Sequence, residues 1–284
     1  MQKISVIIPA KNEALAIAEV VEKVFVVFPD SEVIVVDDGS EDETAALAEQ
    51  SGATVIRHPY SKGNGAAIKT GAREAHGDVL VFMDGDGQHS PEDARRLISR
   101  LGEGFDMVVG ARKRGSQASW GRGVANWFYN ALASYMTGQR VMDLTSGFRA
   151  VRADRFRQFL YLLPNGFSYP TTSTMAFFRA GYSVCYEPIH ASKRQGNSHI
   201  KLLQDGLRFL LIIFKVGTLY SPLKLFFPIA FFHALAGGLY YAYTYYLDER
   251  LSIATVFMLT AGTTIFLIGL VSEQITALMY KNDD

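Results

Sequence analysis

The chain has 284 residues, 49% of them hydrophobic, with 28 Lys+Arg set against 28 Asp+Glu. That length accommodates one large or two small domains around a sizeable core, and the charge balance removes the net field that would point to nucleic acid or an acidic partner. A single cysteine, Cys185, excludes an internal disulfide framework and suits a reducing compartment.

The opening "MQKISVIIPAKNEA" carries an apolar run too short for a signal-peptide core, so this end is expected to stay in the cytoplasm. "ISVIIPA" reads as a strand, followed by a turn at Asn12-Glu13 and an apolar-periodic helix to Phe28. "EVIVVDDGSEDET" repeats the pattern, with Ser40 three residues before Glu43 as an expected capping box. "ATVIRH" and "DVLVFMD" supply a third and a fourth strand around helix-compatible "GAAIKTGAREAHG", and "FDMVVGAR" a fifth. Continuous apolar strands alternating with helices imply an α/β fold with a mostly parallel sheet, covered on both faces. Ligands of such sheets bind where the strands end.

Composition changes near residue 200. His199–Gly217 mixes Leu, Ile and Phe at near-helical spacing with Lys201, Asp205, Arg208 and Lys215, and reads as an interfacial amphipathic helix. Leu225–Leu247 and Leu251–Val271 are runs of 23 and 21 residues without Asp, Glu, Lys or Arg, each long enough to cross a bilayer core. The linker Asp248–Arg250 makes them a hairpin. Lys215, Lys224 and Lys281 on one side, against Arg250 in the turn, place the catalytic part at the cytoplasmic face of the membrane. Tyr240, Tyr241, Tyr243, Tyr245 and Tyr246 crowd the far end as interfacial aromatics do. His233 within the first span is a polar group to be accounted for, by function or by a bond across helices. The expected division is therefore a domain over 1–198, an interfacial region over 199–221, and a hairpin over 222–284.

Chemistry gathers at the strand ends. Asp84 and Asp86, one residue apart after an apolar strand, can aim two carboxylates at one point, with the Gln88 amide beside them. Oxygen ligands of this kind suit Mg2+ or Mn2+ shared with substrate phosphates. A calcium loop of the EF-hand type fails, because His89 stands where its glycine belongs and Arg95 where its last glutamate belongs. Asp37-Asp38 ends a second strand, and Pro9 and Glu13 follow the first; carboxylates there can accept from a ribose hydroxyl or a base N–H. "KGNGAAIKTG", Lys62–Gly71, is a glycine-rich entry to a helix. It is not a dinucleotide fingerprint, since Ile68 replaces the third glycine, and no phosphate loop of the G-x-x-x-x-G-K-[ST] kind occurs. Three strand ends and one acidic turn describe a nucleoside-diphosphate pocket.

The ordered motifs "VIIPAKNE", "VVDDGSEDET", "KGNGAAIKTG" and "MDGDGQHSPE" resemble those of family 2 glycosyltransferases. "VGAR", "DLTSGFRA" and "RQGNSHIK" narrow the resemblance to polyprenyl-phosphate glycosyltransferases, the group that includes dolichyl-phosphate mannose synthase. It covers about residues 3–205 and implies a GT-A type, Rossmann-like fold. By that resemblance, Pro9, Lys11, Glu13, Asp38, Lys62, Asp84 and Asp86 face the sugar nucleotide; Lys11 stands where relatives often have tyrosine. Asp84, Asp86 and Gln88 hold the metal, and Arg112, Arg122, Ser146, Arg194 and Lys201 face the acceptor phosphate. Lys201 enters because His199 replaces a usual lysine. The helix "TTSTMAFF" lacks the acid usual there, and no Q-x-x-R-W element of processive synthases follows.

Asp86, Arg122 and Asp143 are the catalytic candidates. A phosphate monoester is already anionic near neutral pH and attacks without surrendering a proton, so no dedicated base is required; Asp143 could still orient a sugar hydroxyl, assist the acceptor or simply cap a turn. In-line attack inverts the anomeric centre. The implied reaction moves a sugar from a UDP- or GDP-sugar to undecaprenyl or dolichyl phosphate at the membrane. The alternatives are a glycolipid hydroxyl as acceptor, which makes Asp143 an essential base, or a non-catalytic scaffold. Homo-oligomerisation through the hairpin is left open.

Overall fold

The computed structural model describes residues 2–112, 120–166, 168–189, 214 and 217–279. The chain packs as two compact units, Met1–Gly206 and Leu207–Asp284. The expected amphipathic helix over 199–217, with Arg194 and Lys201, falls almost wholly outside the described residues.

The first unit is built on a seven-stranded sheet of order β3-β2-β1-β4-β6-β5-β7. Its strands are β1 (Ile4–Ala10), β2 (Glu32–Asp37), β3 (Thr54–Arg57), β4 (Val79–Phe82), β5 (Met107–Arg112), β6 (Arg149–Arg152) and β7 (Val184–Ile189). The helices are α1 (Ile17–Val27), α2 (Thr44–Gln50), α3 (Asn64–Glu74), α4 (Pro91–Gly102), α5 (Trp120–Thr137), α6 (Ala153–Arg157) and α7 (Tyr169–Arg179). β1, β2, β3 and β4 pair in parallel, and β5 pairs in parallel with β7; β6 runs antiparallel between β4 and β5. The sheet is thus mostly parallel, as its apolar strands imply.

Alternation along β1 serves both faces. Val6 and Ile8 join Val20, Val21 and Val24 of α1 and Leu97 of α4 in one core cluster. Ile7 points the other way, towards α3. That helix lies so close that a Cβ on Gly71 would come within 2.5 Å of Ile7 Cγ2; only glycine permits the approach.

β6 and β7 complete the sheet beyond the five expected strands. Both hide from pattern reading. β6 is four residues long and charged at both ends, "RAVR", while β7 contains Pro188, which argues against a strand in sequence. The proline is tolerated because β7 is an edge strand.

The expected capping box at α2 is not formed. Glu43 is the N-cap residue and its side chain makes no capping bond. Asp42 Oδ1 accepts from Thr44 N at 3.1 Å instead, and Ser40 Oγ accepts from Asn12 N at 3.0 Å. Ser40 is thus spent on the neighbouring loop, and Asp42 serves both that loop, through Ala14 N, and the first residue of α2.

The second unit contains α8 (Pro222–Asp248) and α9 (Ile253–Met279). Both are long and apolar enough to cross a membrane, over Pro222–Leu247 and Ile253–Met279. Small residues let them approach: a Cβ on Gly262 would lie 3.0 Å from Ala230 O, and one on Gly269 2.9 Å from Phe226 Cβ. His233 Nδ1 donates to Ile229 O of its own helix at 2.9 Å, so it makes no bond across the hairpin there.

Candidate active site

Strand direction collects the motifs on one rim. β1, β2, β4 and β5 run the same way, so Lys11–Glu13, Asp37-Asp38, Asp84–Gln88 and Arg112 all lie at or just after carboxyl ends of strands. Antiparallel β6 starts at that rim, which brings Ser146 and Gly147 there as well. Between β1 and β4 the strand order reverses, the place where open α/β sheets form their ligand crevice.

The loops after β1 and β2 are laced together. Asn12 adopts a left-handed conformation, φ 55°, which asparagine tolerates. Its Oδ1 accepts from Glu41 N at 2.9 Å, Glu13 N donates to Thr44 Oγ1 at 2.8 Å, and Ala14 N donates to Asp42 Oδ2 at 3.2 Å. Pro9 is buried, Glu13 half-buried, and Lys11 and Lys62 exposed.

Asp38 is buried and saturated. Oδ1 accepts from His58 Nδ1 at 2.7 Å and Lys62 N at 2.8 Å; Oδ2 accepts from Ser61 Oγ and Gly63 N, both at 2.8 Å. A carboxylate offers about four acceptor positions, and all four go to the segment that leads into α3. Burial alone would raise this carboxyl's pKa, but the hydrogen bonds, that of His58 foremost, outweigh it and hold the pKa below the usual range. Sequence reasoning placed Asp38 on the nucleotide; the structure ties it to residues 58–63. His58, whose Nε2 meets Thr70 Oγ1 at 3.0 Å, was not singled out in sequence. Its position at the exit of β3 was the available signal.

The acidic turn follows β4. Asp84 is part-exposed, and its amide donates to His89 Nδ1 at 3.3 Å while the imidazole stacks on Phe148 at 4.6 Å. Asp86 is buried, with Oδ1 accepting from Gln88 N at 3.1 Å. Among the described residues no group of three or more His, Cys, Asp or Glu is placed to hold a metal by itself. Two carboxylates and an amide are an oxygen-only donor set. They fit a hard divalent ion that draws its remaining ligands from water and phosphate.

Arg112 and Asp143 form a planar fork. Nε donates to Oδ2 at 2.8 Å, Nη2 to Oδ1 at 2.9 Å, and Nη2 also to Thr145 Oγ1 at 2.7 Å. The Arg112 amide donates to the same carboxylate at 3.2 Å. The hydrogen bonds to Asp143 raise the guanidinium pKa above its ordinary value, with Asp84 adding to the effect. Ser146 is buried, and its hydroxyl donates to Gly110 O at 2.6 Å, tying this loop to β5. Arg122 lies in α5, and its side chain is outside the described residues, as are Arg194 and Lys201.

Beneath the loop lies Arg149, fully buried and missed in sequence. Nη1 donates to Pro170 O at 3.1 Å and Ser173 Oγ at 2.7 Å, and Nη2 to Ser146 O. Burial lowers its pKa. Tyr169 donates to Gly147 O at 3.2 Å, and burial pushes its phenol up. A Cβ on Gly147 would sit 3.7 and 3.8 Å from the Asp84 carboxylate oxygens. At "TTSTMAFF" the buried guanidinium is therefore received by neutral acceptors, the hydroxyls of α7 and a first-turn carbonyl. The signal was a lone charge inside the apolar "FRAV".

Comparison with known proteins identifies the family and the fold. The model of glycosyl transferase family 2 matches residues 5–160, and that of the GtrB C-terminal hairpin matches 221–278. Glycosyltransferase AglJ of Haloferax volcanii is 27% identical over 97% of this chain and 94% of its own length. The polyprenol monophosphomannose synthase of Mycolicibacterium smegmatis is 31% identical over 68% of this chain and 79% of its own. Among solved structures, glucosyl-3-phosphoglycerate synthase of Mycobacterium tuberculosis, crystallised with Mn2+, UDP-glucose and phosphoglyceric acid, matches with a TM-score of 0.63. It is 22% identical over 76% of this chain and 80% of its own, which establishes the shared GT-A fold. The chain is a member of glycosyl transferase family 2.

Proposed function

We propose that this enzyme transfers a sugar, with inversion, from a UDP- or GDP-sugar to a polyprenyl phosphate, working on the cytoplasmic side of the membrane. The observation that carries the reading is the Arg112–Asp143 fork on the same rim as Asp84 and Asp86: a fixed cation beside an acidic turn, in a chain that also carries two bilayer-length helices. A relative named for polyprenol monophosphomannose synthesis supports the acceptor class.

The sugar nucleotide lies along the loops after β1, β2 and β4, with Pro9, Lys11, Glu13 and Lys62 beside it and Asp38 shaping the 58–63 segment. Mg2+ or Mn2+, held by Asp84 and Asp86 with Gln88, would neutralise the charge that develops on the departing diphosphate. Arg112 orients the acceptor phosphate in line, joined by Arg122, Arg194 and Lys201. Both oxygens of Asp143 are committed to Arg112 and Thr145, so it positions the guanidinium rather than taking a proton. That disfavours a hydroxyl acceptor, which would need the base. The test is to incubate the purified chain with polyprenyl phosphate, Mn2+ and radiolabelled UDP- and GDP-sugars, followed by organic extraction. Label entering the lipid phase supports the reading; label appearing only in water-soluble product or free sugar overturns it.

A further inference from the structure

We infer that Arg149 is a positioning residue for the transfer reaction: a buried cation that keeps the Ser146 carbonyl turned into the protein, so that the loop before β6 meets its anionic acceptor with N–H groups. This deepens the polyprenyl-phosphate reading of the proposed function and rests on it.

A buried charge is unfavourable unless an opposite charge or a full set of hydrogen bonds compensates it. Arg149 is 0% exposed, and the acceptors it meets among the described residues are neutral: Ser146 O, Pro170 O, Ser173 Oγ, Thr174 Oγ1 and the Met107 sulfur. Its Nε meets none. An apolar side chain of similar volume would fill such a place without loss of stability. The helix that receives the guanidinium does not need it either. Ser173 Oγ donates to Tyr169 O and Thr174 Oγ1 to Pro170 O, both at 2.9 Å, so α7 satisfies its own hydroxyls. Ser146 O differs, because among the described residues Arg149 is its only donor. The service that Arg149 alone performs is therefore at that carbonyl.

The next two carbonyls are held in the same manner. Tyr169, whose ring centroid lies 5.8 Å from Arg149 Cζ, donates to Gly147 O at 3.2 Å, and Gly110 N donates to Phe148 O at 2.9 Å. In a planar trans peptide the N–H points opposite to the C=O. The amides of Gly147 and Phe148 are thus turned away from the two buried side chains. A carbonyl oxygen repels a phosphate and an amide N–H attracts it, so the direction of these peptides sets the sign of the potential that the loop presents. It stands where that sign matters. The same loop begins at Asp143, the partner of Arg112, and a Cβ on Gly147 would lie 3.7 and 3.8 Å from the Asp84 carboxylate oxygens.

Arg149→Met keeps the bulk and removes the charge and the fork, whereas Arg149→Lys keeps the charge. Full-length parent and variants are compared by thermal unfolding, by calorimetric titration with farnesyl phosphate, and by steady-state transfer. The methionine variant should have a Tm equal to or above that of the parent. It should bind farnesyl phosphate more weakly by roughly tenfold, with KM for polyprenyl phosphate raised in proportion and KM for the sugar nucleotide unchanged. Lysine should restore part of the acceptor affinity, since an ammonium also donates to a carbonyl. Should Arg149→Met not fold, Tyr169→Phe decides; it removes only the hydroxyl on Gly147 O and should weaken the acceptor, not the donor, severalfold. Undiminished acceptor binding in these variants overturns the proposal. So does a lower Tm with donor and acceptor affinity lost together, which would make Arg149 a strut of the fold and nothing more. A parent chain that binds no farnesyl phosphate refutes the acceptor class itself, and this inference with it; that failure is recognised because it appears before any substitution is made.

Discussion

Single side chains at this rim work by being held rather than by being free. Asp143 is the clearest case. Its carboxylate meets two guanidinium nitrogens, the Arg112 amide and Thr145, an arrangement that fixes Arg112 far better than a lysine could be fixed. Asp143→Asn keeps the shape but loses the charge-assisted fork, worth about 1.5–3 kcal/mol for such bonds. The expected outcome is a roughly 10–100-fold rise in KM for polyprenyl phosphate, with donor affinity unchanged and the pH–rate profile retaining its shape. Loss of an ascending limb in that profile would instead reveal a base. Asp38 makes a different prediction, one of stability against pH. Its folded pKa lies below its ordinary value of 3.8. The stabilisation is therefore complete above the unfolded value and disappears as pH falls through the lower, folded one. Parent and Asp38→Asn should differ in Tm near neutrality, and the difference should begin to shrink only below about pH 4. A constant Tm difference across that range would show that the carboxylate's charge plays no part.

At the scale of elements, periodicity revealed what was continuous and missed what was assembled. The apolar runs of β1, β2 and β4, and the glycine entry to α3, were legible because each is a local pattern. So were the acidic turn and the basic strand end. β6 was not, because four residues with terminal arginines have no period to read and the strand exists only by pairing with β4 and β5 on either side. Arg149, Tyr169 and His58 escaped for the same reason: each has a partner 20 or more residues away. Ser40 was misassigned because an N-cap pattern and a loop-to-loop bond use the same side-chain chemistry. α3 shows how a long-range fit is written into one residue. Ala66 N donates to Asn165 O at 3.0 Å, Lys69 Nζ donates to Asn165 Oδ1 at 2.6 Å, and a Cβ on Gly65 would stand 2.1 Å from Pro164 O. Backbone cannot yield as a flexible side chain does. Gly65→Ala should therefore destabilise by about 1–3 kcal/mol despite its better helix propensity. Thermal unfolding checks this; an unchanged or raised Tm would mean that the 164–166 turn simply moves aside.

For the whole molecule, the question raised by the proposed function is how a water-soluble donor and a lipid acceptor would come to one rim. Each unit satisfies its own framework. The sheet closes within Met1–Gly206, and the hairpin closes on itself through Gly262 and Gly269, the Leu223 N–Glu273 Oε2 bond at 3.2 Å and the Thr276–Thr218 bond at 3.1 Å. If the hairpin acts as a tether, it contributes local concentration rather than chemistry. Holding two partners together by a linkage is worth about 10²–10⁴ in apparent affinity without any new contact. A chain ending at Gly206 should then bind sugar nucleotide as the full chain does and transfer to a short, soluble prenyl phosphate at a rate within severalfold. Its transfer to polyprenyl phosphate in vesicles should fall by about two orders of magnitude or more. Donor affinity and transfer to each acceptor, measured on both chains, decide the matter. Parallel loss of donor binding would place part of the donor site beyond residue 206 and end the division of labour argued here. Unchanged transfer in vesicles would mean that the catalytic unit, through its own surface, reaches the bilayer without the hairpin.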